Sequence, residues 1–167
     1  EFLDGKKSSE TYAESLRDKH QNYNGFNLIL YDGNTLYWDS NRSEKGKALS
    51  GKPYAISNTT PNHKWVKTEE LKRSFGNALQ GSSIGLQKRL LSILGPKTRY
   101  EGTSSPLLME NLDTLKENIF IQGTHYGTRC SSVILFDNRG LISFTERRFN
   151  ALGKIIGENT MELKRLG

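Results

Sequence analysis

Two polar residues stand where a strand meets a loop, and both are of types that can do chemistry. Asn58 closes the segment Tyr54-Ala55-Ile56-Ser57-Asn58. Arg129 stands between a His125-Tyr126-Gly127-Thr128 turn and an apolar run that starts at Cys130. An asparagine amide can donate to a developing oxyanion. An arginine can hold a carboxylate through two parallel bonds and keeps its charge at physiological pH. The same residue types also suit plainer work, because an asparagine caps turns and an arginine binds backbone carbonyls. Spacing alone does not choose between these. Cys130, five residues after His125, raises the question of a thiol nucleophile. Alternation along the strand is expected to bury Cys130, and a buried thiol is usually inert.

Other chemistries fail on pattern. His20, His63 and His125 lie far apart and in no metal-spaced motif, so no metal site is expected from spacing. The stretch GKALSGKP (46–53) lacks the order of a phosphate loop, and no Gly-x-Ser-x-Gly elbow is present. A single cysteine excludes an internal disulfide framework.

The 167 residues are expected to form one domain. Leu, Ile, Val and Phe make up about a quarter of the chain, above the level of disordered sequences but a thin supply for a core. No run of 18 apolar residues occurs, and the start Glu1-Phe2-Leu3-Asp4-Gly5 lacks a signal pattern. A cytoplasmic or mitochondrial location, not a secreted one, is therefore expected. The net charge of +6 is uneven: residues 42–99 carry twelve Lys or Arg against three Asp or Glu. Such a region attracts phosphates, acidic ligands or a membrane surface, or simply forms solvated helix faces. No aromatic–basic repeat or helix-turn-helix pattern points to nucleic acid.

The elements that would position these residues follow from pattern. Residues 8–22 read as a helix capped by Ser8 or Ser9. Residues 26–40 read as a β-hairpin with Phe26–Tyr31 and Leu36–Asp39 as strands and Asp32-Gly33-Asn34 as the turn. A polar connection (41–53) leads to a short strand, 54–58. Apolar spacing predicts helices over 65–80 and 84–94, the second stopped by Gly95-Pro96. A helical turn is expected within 107–118 and a strand over 119–122. A second hairpin pairs 133–136 with 141–149 around Asp137-Asn138-Arg139-Gly140, and 154–167 adds a last strand. The order suggests an α+β architecture with mostly antiparallel sheet.

Three pieces carry a resemblance. YNGFNLILYD (23–32), YAISNTTPNHKWVKTEELKRSF (54–75) and YGTRCSSVILFDNRGLISFTERRF (126–149) together resemble the NRDE family, also called the transport and Golgi organisation protein 2 family. That resemblance implies a four-layer αββα sandwich like that of N-terminal-nucleophile hydrolases. The family's Met-Cys start and Asn-Arg-Asp-Glu motif are absent, so the chain looks like the C-terminal part of a member and the sandwich is expected to be incomplete. In such enzymes the first residue attacks and its own amine serves as base, which Glu1 cannot do. No catalysis by this chain is expected.

The resemblance places Asn58 at an oxyanion-hole position and Arg129 at the mouth of the sandwich, with Asn27, His125, Tyr126 and Thr128 as further pocket candidates. It implies haem binding and intracellular haem trafficking, with His125 or Cys130 as axial ligand and cations meeting the propionates. It also implies, as alternatives, an acyl-amide or acyl-thioester hydrolase in the full-length parent, or a lipid or acyl-coenzyme A binding protein linked to mitochondrial lipid metabolism and secretory organisation.

Overall fold

The computed structural model describes residues 2–57, 64–97, 118–123 and 126–164. The chain divides into two units, 1–64 and 65–167. Each is a small antiparallel sheet backed on one face by helix.

In the first unit the expected helix over 8–22 breaks in two. Ser8 caps α1 (Ser9–Glu14) by accepting from the Thr11 N–H. A 3₁₀ helix, Arg17–Asn22, follows. The hairpin forms as expected: β1 (Asn27–Tyr31) pairs with β2 (Leu36–Ser40). The connection after it holds a strand that pattern did not show, β3 (Lys47–Leu49), which pairs with β2 to give the order β1-β2-β3. Leu30 and Tyr37 share one face and pack on Ala13 of α1, with Phe2, Tyr12 and Leu28 around them. Residues 54–57 are not a strand. The Ser57 carbonyl accepts from the Asn27 side-chain amide at 2.8 Å, where a ladder partner was expected.

In the second unit α2 (Val66–Gln80) and α3 (Leu86–Ile93) form within the spans that periodicity predicts. At the start of α2, the Thr68 hydroxyl accepts from the Trp65 N–H at 3.0 Å, satisfying a donor that the helix leaves orphaned. The second hairpin is longer than expected: β4 (Cys130–Phe136) pairs with β5 (Leu141–Phe149), and β5 with β6 (Ile155–Lys164), in the order β4-β5-β6. The turns of both hairpins carry glycine at positive φ, 101° for Gly33 and 81° for Gly140, where a Cβ would clash. Ala78, Leu90, Leu91 and Val133 make the buried core here, joined by Phe75, Leu86, Ile93, Leu94 and Leu135. Fully burying a leucine such as Leu91 contributes about 2 kcal/mol.

The strand expected over 119–122 is absent. That segment is held by Thr128 instead, as described below. The helical turn expected within 107–118 lies outside the described residues except for Asn118. Among the described residues, no helix is long and apolar enough to cross a membrane.

Candidate functional site

The start of β4 is built by two fastenings. The Thr128 N–H donates to the Ile121 carbonyl at 2.8 Å, and its hydroxyl accepts from the Ile121 N–H at 3.0 Å. The Arg129 carbonyl accepts from the Phe149 N–H at 2.8 Å, which extends the β4–β5 ladder by one bond. Phe149 is buried edge-on against Phe120, with ring centroids 4.8 Å apart. The backbone is thus fixed where Arg129 leaves it. Thr128 is spent on this fastening. Tyr126 and Arg129 are exposed beside it. Asn58 and His125 lie outside the described residues.

Cys130 corrects an expectation: its thiol is exposed, not buried. Alternation does hold, since Ser131 and Val133 are buried while Cys130, Ser132 and Ile134 are exposed. The covered side is the odd-numbered one of Val133. There α3 lies, with the Gln87 amide donating to the Ser143 hydroxyl at 3.3 Å and to that of Thr145.

Cys130 therefore belongs to the open face of the sheet. The register orders that face in rows: Cys130, Arg148 and Gly157, then Ser132, Glu146 and Asn159, then Ile134, Phe144 and Met161, then Phe136, Ile142 and Leu163. A thiol and a guanidinium mark one end, and six apolar side chains fill the other. Four residues separate the first row from the third, which is about 13 Å of strand. The Arg148 guanidinium lies over Gly157, where a Cβ would stand 2.6 Å from its Nη2. No described carboxylate forms an ion pair with Arg129 or Arg148, whereas Arg147, on the helix side, pairs with Glu158 at 2.6 Å. Sequence reading passed over Arg148. The signal was present: a turn at 137–140 sets the register that places Arg148 opposite Cys130.

Asn27 sits in the first unit and is exposed, yet both ends of its amide are used. Its Oδ1 accepts from the Trp38 indole N–H at 2.9 Å, and its Nδ2 donates to the Ser57 carbonyl at 2.8 Å. Asn27 thereby fixes the backbone that leads into Asn58.

A further polar group was not foreseen. Asp39 is fully buried, with Arg17 Nη2 at 3.0 Å from Oδ1 and His20 Nε2 at 3.2 Å from Oδ2. Arg17, His20, Tyr23 and Asn41 line an open cleft of about 530 Å³. The Asn41 amide donates to the carbonyls of His20, Tyr23 and Asn24, pinning the end of the 3₁₀ helix. Among the described residues no group of three His, Cys, Asp or Glu side chains could hold a metal ion.

Two helix-backed antiparallel sheets, with a fastened strand start presenting Arg129 and Cys130, make this an α+β protein. It belongs to the Transport and Golgi organisation 2 family, whose model matches residues 1–151. This is the NRDE family that the three sequence pieces resemble. The chain is 29% identical over 163 residues to the Transport and Golgi organization protein 2 homolog of Bos taurus, covering 88% of this chain and 59% of that one. It is 27% identical over 162 residues to the Transport and Golgi organization 2 homolog of Mus musculus, covering 87% and 58%. The Homo sapiens homolog is 28% identical over 162 residues, again covering 87% and 58%. The chain spans about three-fifths of the length of these relatives.

Proposed function

We propose that this chain binds haem as cargo on the open face of β4, β5 and β6, and releases it to a further acceptor. One observation carries the reading: a row holding a thiol and a guanidinium stands about 13 Å along the strands from rows of apolar side chains. A planar macrocycle with an apolar body and two carboxylates matches that gradient. Its body would lie on Ile134, Phe144 and Met161, and its propionates would meet Arg148 on the same face. Cys130 would stand beside Arg148 in the propionate row, about 13 Å along the strands from the macrocycle's centre and out of reach of its iron. An open face suits transfer, since cargo that must leave cannot be enclosed.

The family resemblance supports a second reading of that face, an αββα sandwich, in which it would pack on another sheet instead of holding haem. Such a sandwich needs two helix–sheet pairs, each with an apolar sheet face left over. The described residues contain two such pairs. In the first unit, Ile29, Tyr31 and Leu36 are the exposed apolar side chains on the sheet face away from α1.

The test is a haemin titration followed by Soret absorbance, with Cys130→Ser, Arg148→Gln and His125→Ala variants. The expected result is saturable binding that weakens by about tenfold in Arg148→Gln, the loss of one charge-assisted pair, and an unchanged Soret maximum in Cys130→Ser. Saturable binding that none of the three variants changes would remove haem from this face. No saturable binding by the folded chain would end the haem reading.

A further inference from the structure

The turn between α2 and α3 carries two exposed apolar side chains. Ile84 is 85% exposed and Leu79 49%. Between them stand only Gln80, Gly81, Ser82 and Ser83. Scattered exposed apolar residues need no explanation. Two further observations set this turn apart.

The first is its hydrogen bonding. Arg89 reaches back over the turn and donates to the carbonyls of Ile84 at 2.8 Å, Ala78 at 3.3 Å and Ser82. One guanidinium thus gathers the backbone beside Leu79 and at Ile84 into a single tip. The Ile84 N–H donates to the Ser82 hydroxyl, and the Leu86 N–H to the Ser83 carbonyl, each at 3.1 Å. Both backbone groups of Ile84 and the carbonyls of Ser82 and Ser83 are therefore occupied from within. A protein partner could supply hydrogen bonds to a bare loop, but hydrocarbon cannot.

The second is charge. Residues 71–97 hold Lys72, Arg73, Lys88, Arg89 and Lys97 and no Asp or Glu. Lys72 pairs with Glu69 and Lys97 with Glu70, both acids in the part of α2 away from the turn. Arg73 and Lys88 are exposed and pair with no described carboxylate. Lys88 stands in the first turn of α3, close behind Ile84.

We propose that the α2–α3 turn inserts Ile84 and Leu79 into an anionic lipid surface, with Lys88 and Arg73 meeting the headgroup phosphates. The turn lies on the helix side of the second unit's sheet, so it is independent of the haem reading.

The probes are vesicles of phosphatidylcholine with about a third phosphatidylserine and vesicles of phosphatidylcholine alone, with binding read by co-sedimentation. The decisive variant is Leu79→Ser/Ile84→Ser, its fold checked by circular dichroism. Ile84→Ser, at the more exposed site, replaces it where the pair disturbs the fold. Leu3→Ser, at a site 92% exposed in the first unit, and Lys6→Gln/Lys7→Gln control for lost apolar surface and lost charge. Binding to the anionic vesicles should fall about tenfold or more in the decisive variant and severalfold in Arg73→Gln/Lys88→Gln, and hold in both controls. Emission of Ile84→Trp, read against the wild-type signal, should move to the blue when those vesicles are added. Binding that survives the decisive variant, or falls equally in the controls, would overturn insertion at this turn. So would failure of the folded chain to bind either vesicle. Self-association that the decisive variant abolishes, read by sedimentation velocity, would assign the tip to a second copy and overturn the lipid reading.

Discussion

Removing the carboxylate of Asp32 tests how the first unit is held together. Its Oδ2 accepts from the Ser9 N–H at 2.8 Å and the Ser9 hydroxyl at 3.0 Å, and its Oδ1 accepts from the N–H groups of Asn34 and Thr35 at 2.9 Å each. One side chain thus ties the start of α1 to the β1–β2 turn, 23 residues away. Ser9 is fully buried, so Asp32→Ala leaves its N–H without an acceptor, a cost of about 1–3 kcal/mol. The turn amides can hydrogen-bond to water instead, and Asp32 is itself half-exposed, so the expected loss is about 2 kcal/mol.

The backbone N–H of Ser9, then those of Thr35 and Asn34, hold the Asp32 carboxyl far below the usual carboxylate range, against the opposing effect of burial. A carboxylate depressed in the folded state stabilises above its unfolded pKa, and that stability drains as the pH falls through the folded value. The gap between wild type and Asp32→Ala should therefore be full at about pH 7, begin to close below about pH 5, and be much reduced near pH 2. Urea unfolding across that range, with hydrogen exchange at Ser9 and Thr35, measures it. A gap below about 0.5 kcal/mol at neutral pH, or one that ignores acid, would refute the argument.

Four further outcomes are expected. Gly157→Ala should displace the flexible Arg148 guanidinium at little cost in stability and weaken haemin binding severalfold; a large drop in melting temperature would mean that the backbone, not the side chain, had to move. Arg89 donates to the carbonyls of Ile84, Ala78 and Ser82, closing the α2–α3 turn, and Arg89→Met should cost about 2 kcal/mol by urea unfolding. Asp39→Asn leaves the Arg17 guanidinium without its buried counter-charge and should cost about 3 kcal/mol, read by exchange at amides of β2. Cys130 in the native chain should react with a thiol reagent at nearly the rate of the unfolded chain, whereas a buried thiol would wait for unfolding.

What the sequence determined by itself is what local chemistry decides. Asp32-Gly33-Asn34 and Asp137-Asn138-Arg139-Gly140 specify their turns because glycine alone reaches positive φ without strain there, and each turn then sets the register of its hairpin. Apolar spacing marked α2 and α3, and Ser8 marked the start of α1. The run of short motifs was enough to reach the family.

Tertiary structure decided the rest. Alternation tells which residues share a face but not which face is covered, so the exposure of Cys130 waited on where α3 packs. Residues 54–57 and 119–122 have strand-like composition, yet their backbones are claimed by Asn27 and Thr128, partners 30 and 7 residues away that no local pattern announces. Asp39 looks like an ordinary strand residue until Arg17 and His20 close over it. A carboxylate is buried at tolerable cost only when a counter-charge, here Arg17, arrives with it, and that arrival is a property of the folded chain.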